Sequence, residues 1–148
     1  MTNEPNDALV ALEVLVGVWR MEASLAAQAA EPPSAETRFE WLEGRRFLVQ
    51  RWRVEHPDAP DGIAIIGLDG EKATYLQHYF DSRGVARIYE MSLAGGVWRL
   101  WRTAPGFSQR FSGRFDETAD TIRGRWERSR DGSSWEHDFD LTYTRIPR

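Results

Sequence analysis

The sequence of 148 residues contains no cysteine, which excludes a disulfide framework, a thiolate nucleophile and a metal site built from cysteine ligands. Its three histidines, His56, His78 and His137, show no regular metal-ligand spacing, so we expect no metal site. Glycine-rich phosphate loops and the Gly-x-Ser-x-Gly elbow of serine hydrolases are also missing. The sequence therefore identifies no reaction, and a protein without enzymatic activity is favoured over an enzyme.

Excess positive charge and long apolar runs are also lacking. The formal net charge is −4 and the isoelectric point is about 5.4, so we expect no attraction to nucleic acid or to an anionic membrane. No apolar stretch approaches the roughly 20 residues of a membrane-spanning helix. The N-terminal segment is acidic and lacks the basic region and small-residue cleavage site of a secretory signal. We therefore expect a cytoplasmic protein.

Aromatic residues, in contrast, are abundant. They form 12% of the chain, with seven tryptophans and seven phenylalanines, and hydrophobic residues form 41%. A chain of this length buries about two-thirds of its unfolded surface, and this many rings require a packed interior. No linker, repeat or change of composition divides the sequence. We predict one domain over residues 1–148.

Polar and apolar residues alternate with the period of a β-strand from Gly17 onward. Short β-rich runs are separated by turn dipeptides such as Asp61-Gly62 and Asp131-Gly132, a pattern typical of an all-β sandwich or barrel. About ten strands are predicted, at 18–23, 36–42, 46–55, 62–68, 73–80, 85–93, 97–102, 107–115, 121–130 and 134–145. Before them, Asn6 or Asp7 can cap a short helix.

The register of the last hairpin follows from its turn. A two-residue turn at Asp131-Gly132 pairs Trp126 with His137, and it places His137 on the apolar, inward face. The same register pairs outward aspartates with outward arginines: Asp138 with Arg125, and Asp140 with Arg123. We therefore interpret both aspartates as partners of arginines on the outer surface, and not as a catalytic pair.

Two distant pieces of the sequence carry a family resemblance. Gly17-Val18-Trp19 on the first strand and Arg145 on the last resemble the calycin signature of lipocalins and their relatives. The segment "GVWRMEA" followed by about ten strands is similar to nitrobindin-type proteins. The segments "FEWLEGRRFLVQR", "HYFDSRGVARIYEM", "GFSQRFSG" and "GRWERSRDGSSWEHDFDLTYTR" resemble an uncharacterised bacterial lipocalin-like family over nearly the whole chain.

The resemblance implies a single antiparallel up-and-down β-barrel, with the short N-terminal helix closing one end. In the calycin superfamily the tryptophan packs across the closed end, and the arginine lies over its ring in a cation–π contact. Gly17, Trp19 and Arg145 therefore have an expected structural role. The lipocalin-like family has no established activity.

The similarity to nitrobindin implies haem, which in that family is held by a histidine of the final strand. Matching Thr142, Tyr143 and Arg145 to the family pattern places its histidines over Asp138 and Asp140. Carboxylates are poor replacements for an imidazole ligand, and the neighbouring His137 falls on the opposite face of the strand. Either the ligand has shifted or haem is not bound, and we favour the second interpretation and expect no cofactor.

The function that we expect is the binding of a small hydrophobic or amphipathic molecule inside the barrel. The expected polar contacts are His137, Tyr89, Arg87 and His78, and Trp126 and Tyr143 complete the predicted ligand-binding set. Aromatic residues such as Trp126 more often belong to a packed core. The segment 24–36 is a candidate lid over the barrel mouth.

The face of His78 depends on the turn at 81–84, for which two forms are open. A type I turn with a glycine bulge pairs Tyr79 with Arg87. A two-residue turn at Arg83-Gly84 instead places His78, Arg87 and Tyr89 on one face.

Two other classes of function are also open. One is a haem-dependent or isomerase-type enzyme similar to nitrobindin. The other is a structural or self-association module, such as a homodimer, in which some of the aromatic residues, such as Tyr75, Tyr79 and Trp101, face outward.

Overall fold

A computed structural model of the protein describes residues 7–24, 34–55, 59–70 and 74–147. Ten antiparallel strands close into one barrel, in which sequence neighbours pair and the first strand pairs with the last. The predicted all-β barrel with a short N-terminal helix is therefore confirmed. His56 and most of the candidate lid, residues 25–33, lie outside the described residues.

The strand boundaries differ from the predicted ones by two residues at most. The chain begins with the helix α1 (Asp7–Ala11) and a 3-10 turn (Leu12–Leu15). The strands are β1 (Gly17–Ser24), β2 (Ser34–Trp41), β3 (Leu48–Val54), β4 (Gly62–Asp69), β5 (Thr74–Asp81), β6 (Ala86–Ala94), β7 (Val97–Arg102), β8 (Ser108–Phe115), β9 (Thr121–Ser129) and β10 (Glu136–Arg145). No helix among the described residues is long and apolar enough to cross a membrane.

The two ends of the barrel differ in what covers them. At the closed end, where β1 begins and β10 ends, Leu12 and Leu15 are completely buried together with Trp19. The indole N–H of Trp19 donates to the carbonyl of Leu15 at 2.9 Å. At the opposite end, called the mouth here, β1 ends at Ser24 and β2 begins at Ser34. The helical segment therefore closes one end of the barrel.

Arg145 fastens the closed end. Its guanidinium lies 4.1 Å from the centre of the Trp19 ring, and it donates to the carbonyls of Val16 at 2.7 Å and Val14 at 2.8 Å. Gly17 has φ of +131°, and a Cβ atom on it would lie 2.8 Å from Nη1 of Arg145. A side chain at this position would therefore displace the guanidinium.

The register of β9 with β10 differs from the predicted one. Phe139 pairs with Trp126 and Asp140 with Arg125, while His137 pairs with Glu127, so that Asp138 is the extra residue of a β-bulge. The connection is also wider than two residues, because the Asp131 carboxylate accepts the backbone N–H groups of residues 133 and 134 at 2.8 and 2.7 Å. The predicted Asp138–Arg125 and Asp140–Arg123 pairs are therefore wrong.

The turn between β5 and β6 takes the first of the two forms open from the sequence. Gly84 has φ of +86°, and its N–H donates to the Asp81 carbonyl at 2.9 Å. Tyr79 pairs with Arg87, as the glycine bulge requires. His78 consequently lies on the outer face, exposed to solvent, between Ile65 and Ile88.

Candidate functional site

The barrel contains a cavity of about 460 Å³. This volume is within the range of small-molecule pockets, roughly 300–1,000 Å³. Ten strands enclose more space than eight, whose side chains just fill a barrel interior. Three small residues, Ala23, Ala35 and Ala64, are part of the lining. Strand number and small inward side chains together explain why the interior stays open.

A series of aromatic rings forms one part of the wall. Trp52 stacks on Tyr79 with ring centres 5.4 Å apart, and Tyr79 meets Tyr89 edge-on at 6.1 Å. Tyr89 then contacts Trp126 at 5.7 Å, and Trp126 stacks on Phe139 at 6.3 Å. Such contacts hold the rings in fixed orientations. The wall is therefore a preformed apolar surface.

Three buried glutamines, which the sequence analysis did not single out, also line the cavity. Gln50 is 5% exposed, Gln77 4% and Gln109 9%. Each stands in phase with large apolar residues two positions away: Leu48 and Trp52, Tyr75 and Tyr79, and Phe107 and Phe111. An uncharged polar residue between apolar residues on an inward face is a signal that sequence inspection can detect. The three amides place hydrogen-bonding groups in the cavity wall without adding charge.

An unpaired donor is buried in the wall beside the deep part of the cavity. Trp98 is 1% exposed, and no residue in the described part of the chain accepts a hydrogen bond from its indole N–H. The ring of Tyr143 lies 5.6 Å from that of Trp98. Burial raises the pKa of the Tyr143 phenol, against the opposing effect of the Gln50 amide. Tyr143 is therefore neutral, and this region offers uncharged polar groups only.

Arg87, Tyr89 and Gln109 form a connected group nearer the mouth. The side-chain oxygen Oε1 of Gln109 accepts from the hydroxyl of Tyr89 at 2.8 Å and from Nη1 of Arg87 at 3.2 Å. The guanidinium of Arg87 also lies 5.4 Å from the centre of the Phe107 ring. One glutamine oxygen therefore fixes a phenol and a cation in the cavity wall.

A buried carboxylate lies beside this group. The side chain of Asp81 is completely buried and forms an ion pair with Arg83 at 2.7 Å, while the Tyr79 hydroxyl donates to it at 2.6 Å. Hydrogen bonds from Arg83 hold the pKa of Asp81 well below its usual range. Burial, together with the bond to Asp81, raises the pKa of Tyr79. At neutral pH the carboxylate is therefore ionised and the phenol is protonated.

The six predicted ligand-binding residues divide into two groups. Arg87, Tyr89, Trp126 and Tyr143 line the cavity. His78 does not, because the turn at 81–84 places it on the outer face.

His137 does not line the cavity either, and its predicted inward position is wrong. The bulge at Asp138 changes the alternation of faces, so that Asp138 lines the cavity instead. The ring atom Nε2 of His137 lies 2.9 Å from Oδ1 of Asp140, which is on the outer surface.

The wall residues do not fit a haem held through imidazole. Among the described residues that line the cavity, none is a histidine. Of the two positions that match the nitrobindin histidines, Asp138 lines the cavity and Asp140 lies outside it. A carboxylate is a poor substitute for an imidazole as axial ligand. No group of three or more histidine, aspartate or glutamate side chains suited to a metal ion occurs in the described residues.

Comparisons with known proteins support the fold alone. No family model matches the chain, and no curated protein matches it. The crystal structure of Rv2717c from M. tuberculosis is similar, with a TM-score of 0.64, 17% sequence identity, and coverage of 97% of this chain and 100% of that one. The similarity shows that the two chains share a fold. The lipocalin-like family and the similarity to nitrobindin stay predictions.

Proposed function

We propose that this protein binds a small, partly hydrophobic molecule inside its barrel. The observation that carries the proposal is the cavity of about 460 Å³, whose wall combines packed aromatic rings with buried uncharged polar groups. Small-molecule sites typically have this composition, with an apolar wall for affinity and a few placed polar groups for orientation.

Four of the predicted contacts keep their role in the proposal. Trp126 and Tyr89 supply apolar contact surface, Tyr143 a neutral hydroxyl, and Arg87 a cation. His78 and His137 are not part of it, because both side chains lie on the outer surface.

The test uses N-phenyl-1-naphthylamine, an uncharged probe that fluoresces in apolar surroundings. We expect saturable binding to the wild type and its loss in Ala64→Phe, because Ala64 is fully buried and lines the cavity. Ala86→Phe adds the same side chain at an exposed position of β6 and should leave binding unchanged.

If Ala64→Phe fails to fold, Ala35→Trp fills the cavity from a half-buried position of β2. Absence of binding to the wild type, or equal binding by a folded cavity-filled variant, would overturn the proposal. Native mass spectrometry of the wild type from its own host is a second test, and we expect it to show a small molecule that copurifies with the protein.

A second proposal, self-association, depends on the outer face of β4, β5 and β6. Ile88 is 57% exposed and Phe80 42%, and Ile65 lies opposite His78 in the same outward row. Large contiguous patches of exposed apolar residues mark association surfaces. The sequence prediction named other residues: Trp101 is 36% exposed and Tyr75 is buried, while Tyr79 lines the cavity.

Sedimentation velocity over a range of protein concentrations tests this proposal. We expect a dimer that dissociates in Ile88→Asp, with Glu90→Gln as a control on the same outer face. A wild type that stays monomeric at high concentration would contradict it.

A further inference from the structure

Among the described residues that line the cavity, Arg87 is a cation without a carboxylate partner. Arg83 is paired with Asp81 at 2.7 Å, and Asp138 lies 3.9 Å from Arg128. Arg87 also lines the cavity, but no carboxylate of the described residues lies within ion-pair distance of it. In the described part of the chain, the positive charge of Arg87 therefore has no carboxylate to compensate it.

Arg87 is held in place in the wall. Its bond to Gln109 and its position beside the Phe107 ring fix the guanidinium from two directions. The Tyr89 hydroxyl shares the same glutamine oxygen. Burying part of a cation is costly unless an anion pairs with it. A cation fixed by neutral groups in this way is prepared for an anion from outside the chain.

We infer that the ligand is an amphipathic anion whose carboxylate, or similar oxyacid group, pairs with Arg87. The inference depends on the proposed function, because it names the class of molecule that the same cavity takes. The apolar body of the ligand lies against the stacked rings that include Tyr79 and Trp126. A guanidinium matches a carboxylate in two-point geometry, which makes Arg87 a specificity-determining residue.

Two probes with one ring skeleton separate charge from apolar contact. N-phenyl-1-naphthylamine is neutral, and 8-anilino-1-naphthalenesulfonate adds one oxyacid anion. We expect the wild type to bind the anionic probe more tightly, by about tenfold, as one charge-assisted contact provides. Decanoate should likewise displace the neutral probe at lower concentration than decanol does.

Two variants remove the anion preference in different ways. Arg87→Met deletes the charge at similar length, and Gln109→Glu supplies an internal carboxylate at the atom that Arg87 already contacts. Both variants should lower the affinity for the anionic probe by about tenfold. Their affinity for the neutral probe should change by less than about threefold. Arg99→Met is the control, because it removes an exposed arginine of β7. It should leave the affinity for both probes unchanged.

The outcomes distinguish this inference from the proposed function. Equal affinity of the wild type for both probes would overturn the inference while leaving the proposed function in place. If Arg87→Met lowers the affinity for both probes equally, the inference is also overturned, since Arg87 would then act by packing and not by charge. If Arg99→Met lowers the affinity for the anionic probe as much as Arg87→Met does, the preference comes from the long-range electrostatic field of the protein and not from contact with Arg87. That result would overturn the inference as well. If neither probe binds the wild type, the proposed function fails and the inference fails with it.

Discussion

The guanidinium of Arg145 on the last strand lies 4.1 Å from the ring centre of Trp19 on the first, and it donates to the carbonyls of Val14 and Val16, which precede Trp19 in the chain. Hydrogen bonds from a charged donor contribute about 1.5–3 kcal/mol each, and a shielded cation–π contact about 0.5–2 kcal/mol. Lysine keeps the charge but loses the forked geometry. We expect Arg145→Lys to lower the free energy of unfolding by about 2 kcal/mol, measured by urea denaturation.

A second arginine of the same geometry serves as the control. Arg110 lies 4.1 Å from the ring centre of Trp135, but it is half exposed and pairs with Glu127 on the outer surface. Arg110→Lys should cost less than about 1 kcal/mol, as is typical of exposed pairs. Equal losses of unfolding free energy in the two variants would show that Arg145 stabilises the closed end no more than an exposed arginine stabilises the outer surface.

Gly17 is expected to tolerate no side chain. Its φ of +131° is a conformation that residues other than glycine adopt at a cost of about 1–3 kcal/mol, and an added Cβ would lie 2.8 Å from Arg145. Gly106→Ala is the control, because Gly106 has φ of +78° and open space around it. Thermal unfolding should show a larger loss for Gly17→Ala. A loss no greater than that of the control would mean that Arg145 moves aside at no cost.

The barrel could be predicted from local signals, because the boundaries of its strands and their order in the sheet follow from those signals. Eight of the nine connections between strands contain glycine or aspartate. Sequence neighbours pair, and strand alternation assigns most side chains to the inner or the outer face. The predicted site contains Arg87, Tyr89, Trp126 and Tyr143, and all four line the cavity.

The position of His137 could not be predicted in the same way. Its face depends on one bulge, and the bulge accompanies a connection held open by side-chain hydrogen bonds of Asp131. An Asp-Gly pair fits a two-residue turn equally well, so the sequence contains no local signal that separates the two. The unpaired N–H of Trp98 likewise depends on which groups surround it in three dimensions.

The outward position of His137 makes a direct prediction about binding. His137→Ala should leave the affinity for N-phenyl-1-naphthylamine unchanged, because the imidazole contacts Asp140 outside the cavity. Trp126→Ala removes a ring that contacts both Tyr89 and Phe139 in the wall, and should weaken binding by about tenfold or more. Fluorescence titration measures both. A loss in His137→Ala that matches the loss in Trp126→Ala would return His137 to the site.

Asp81 should make stability depend on pH in the acid range. Its pKa in the folded protein lies well below its usual range because Arg83 donates hydrogen bonds to it, and the unfolded value is about 3.9. A lowered pKa stabilises the fold above the unfolded pKa, and this stabilisation is lost as the pH falls through the range below about 5. Asp81→Asn should therefore be less stable than the wild type at pH 7, by about 1–3 kcal/mol, and the difference should shrink toward pH 3. Urea midpoints at both pH values measure it, with Glu43→Gln as the control for an exposed carboxylate. A difference that stays constant with pH would show that the Asp81 carboxylate contributes by shape and not by charge.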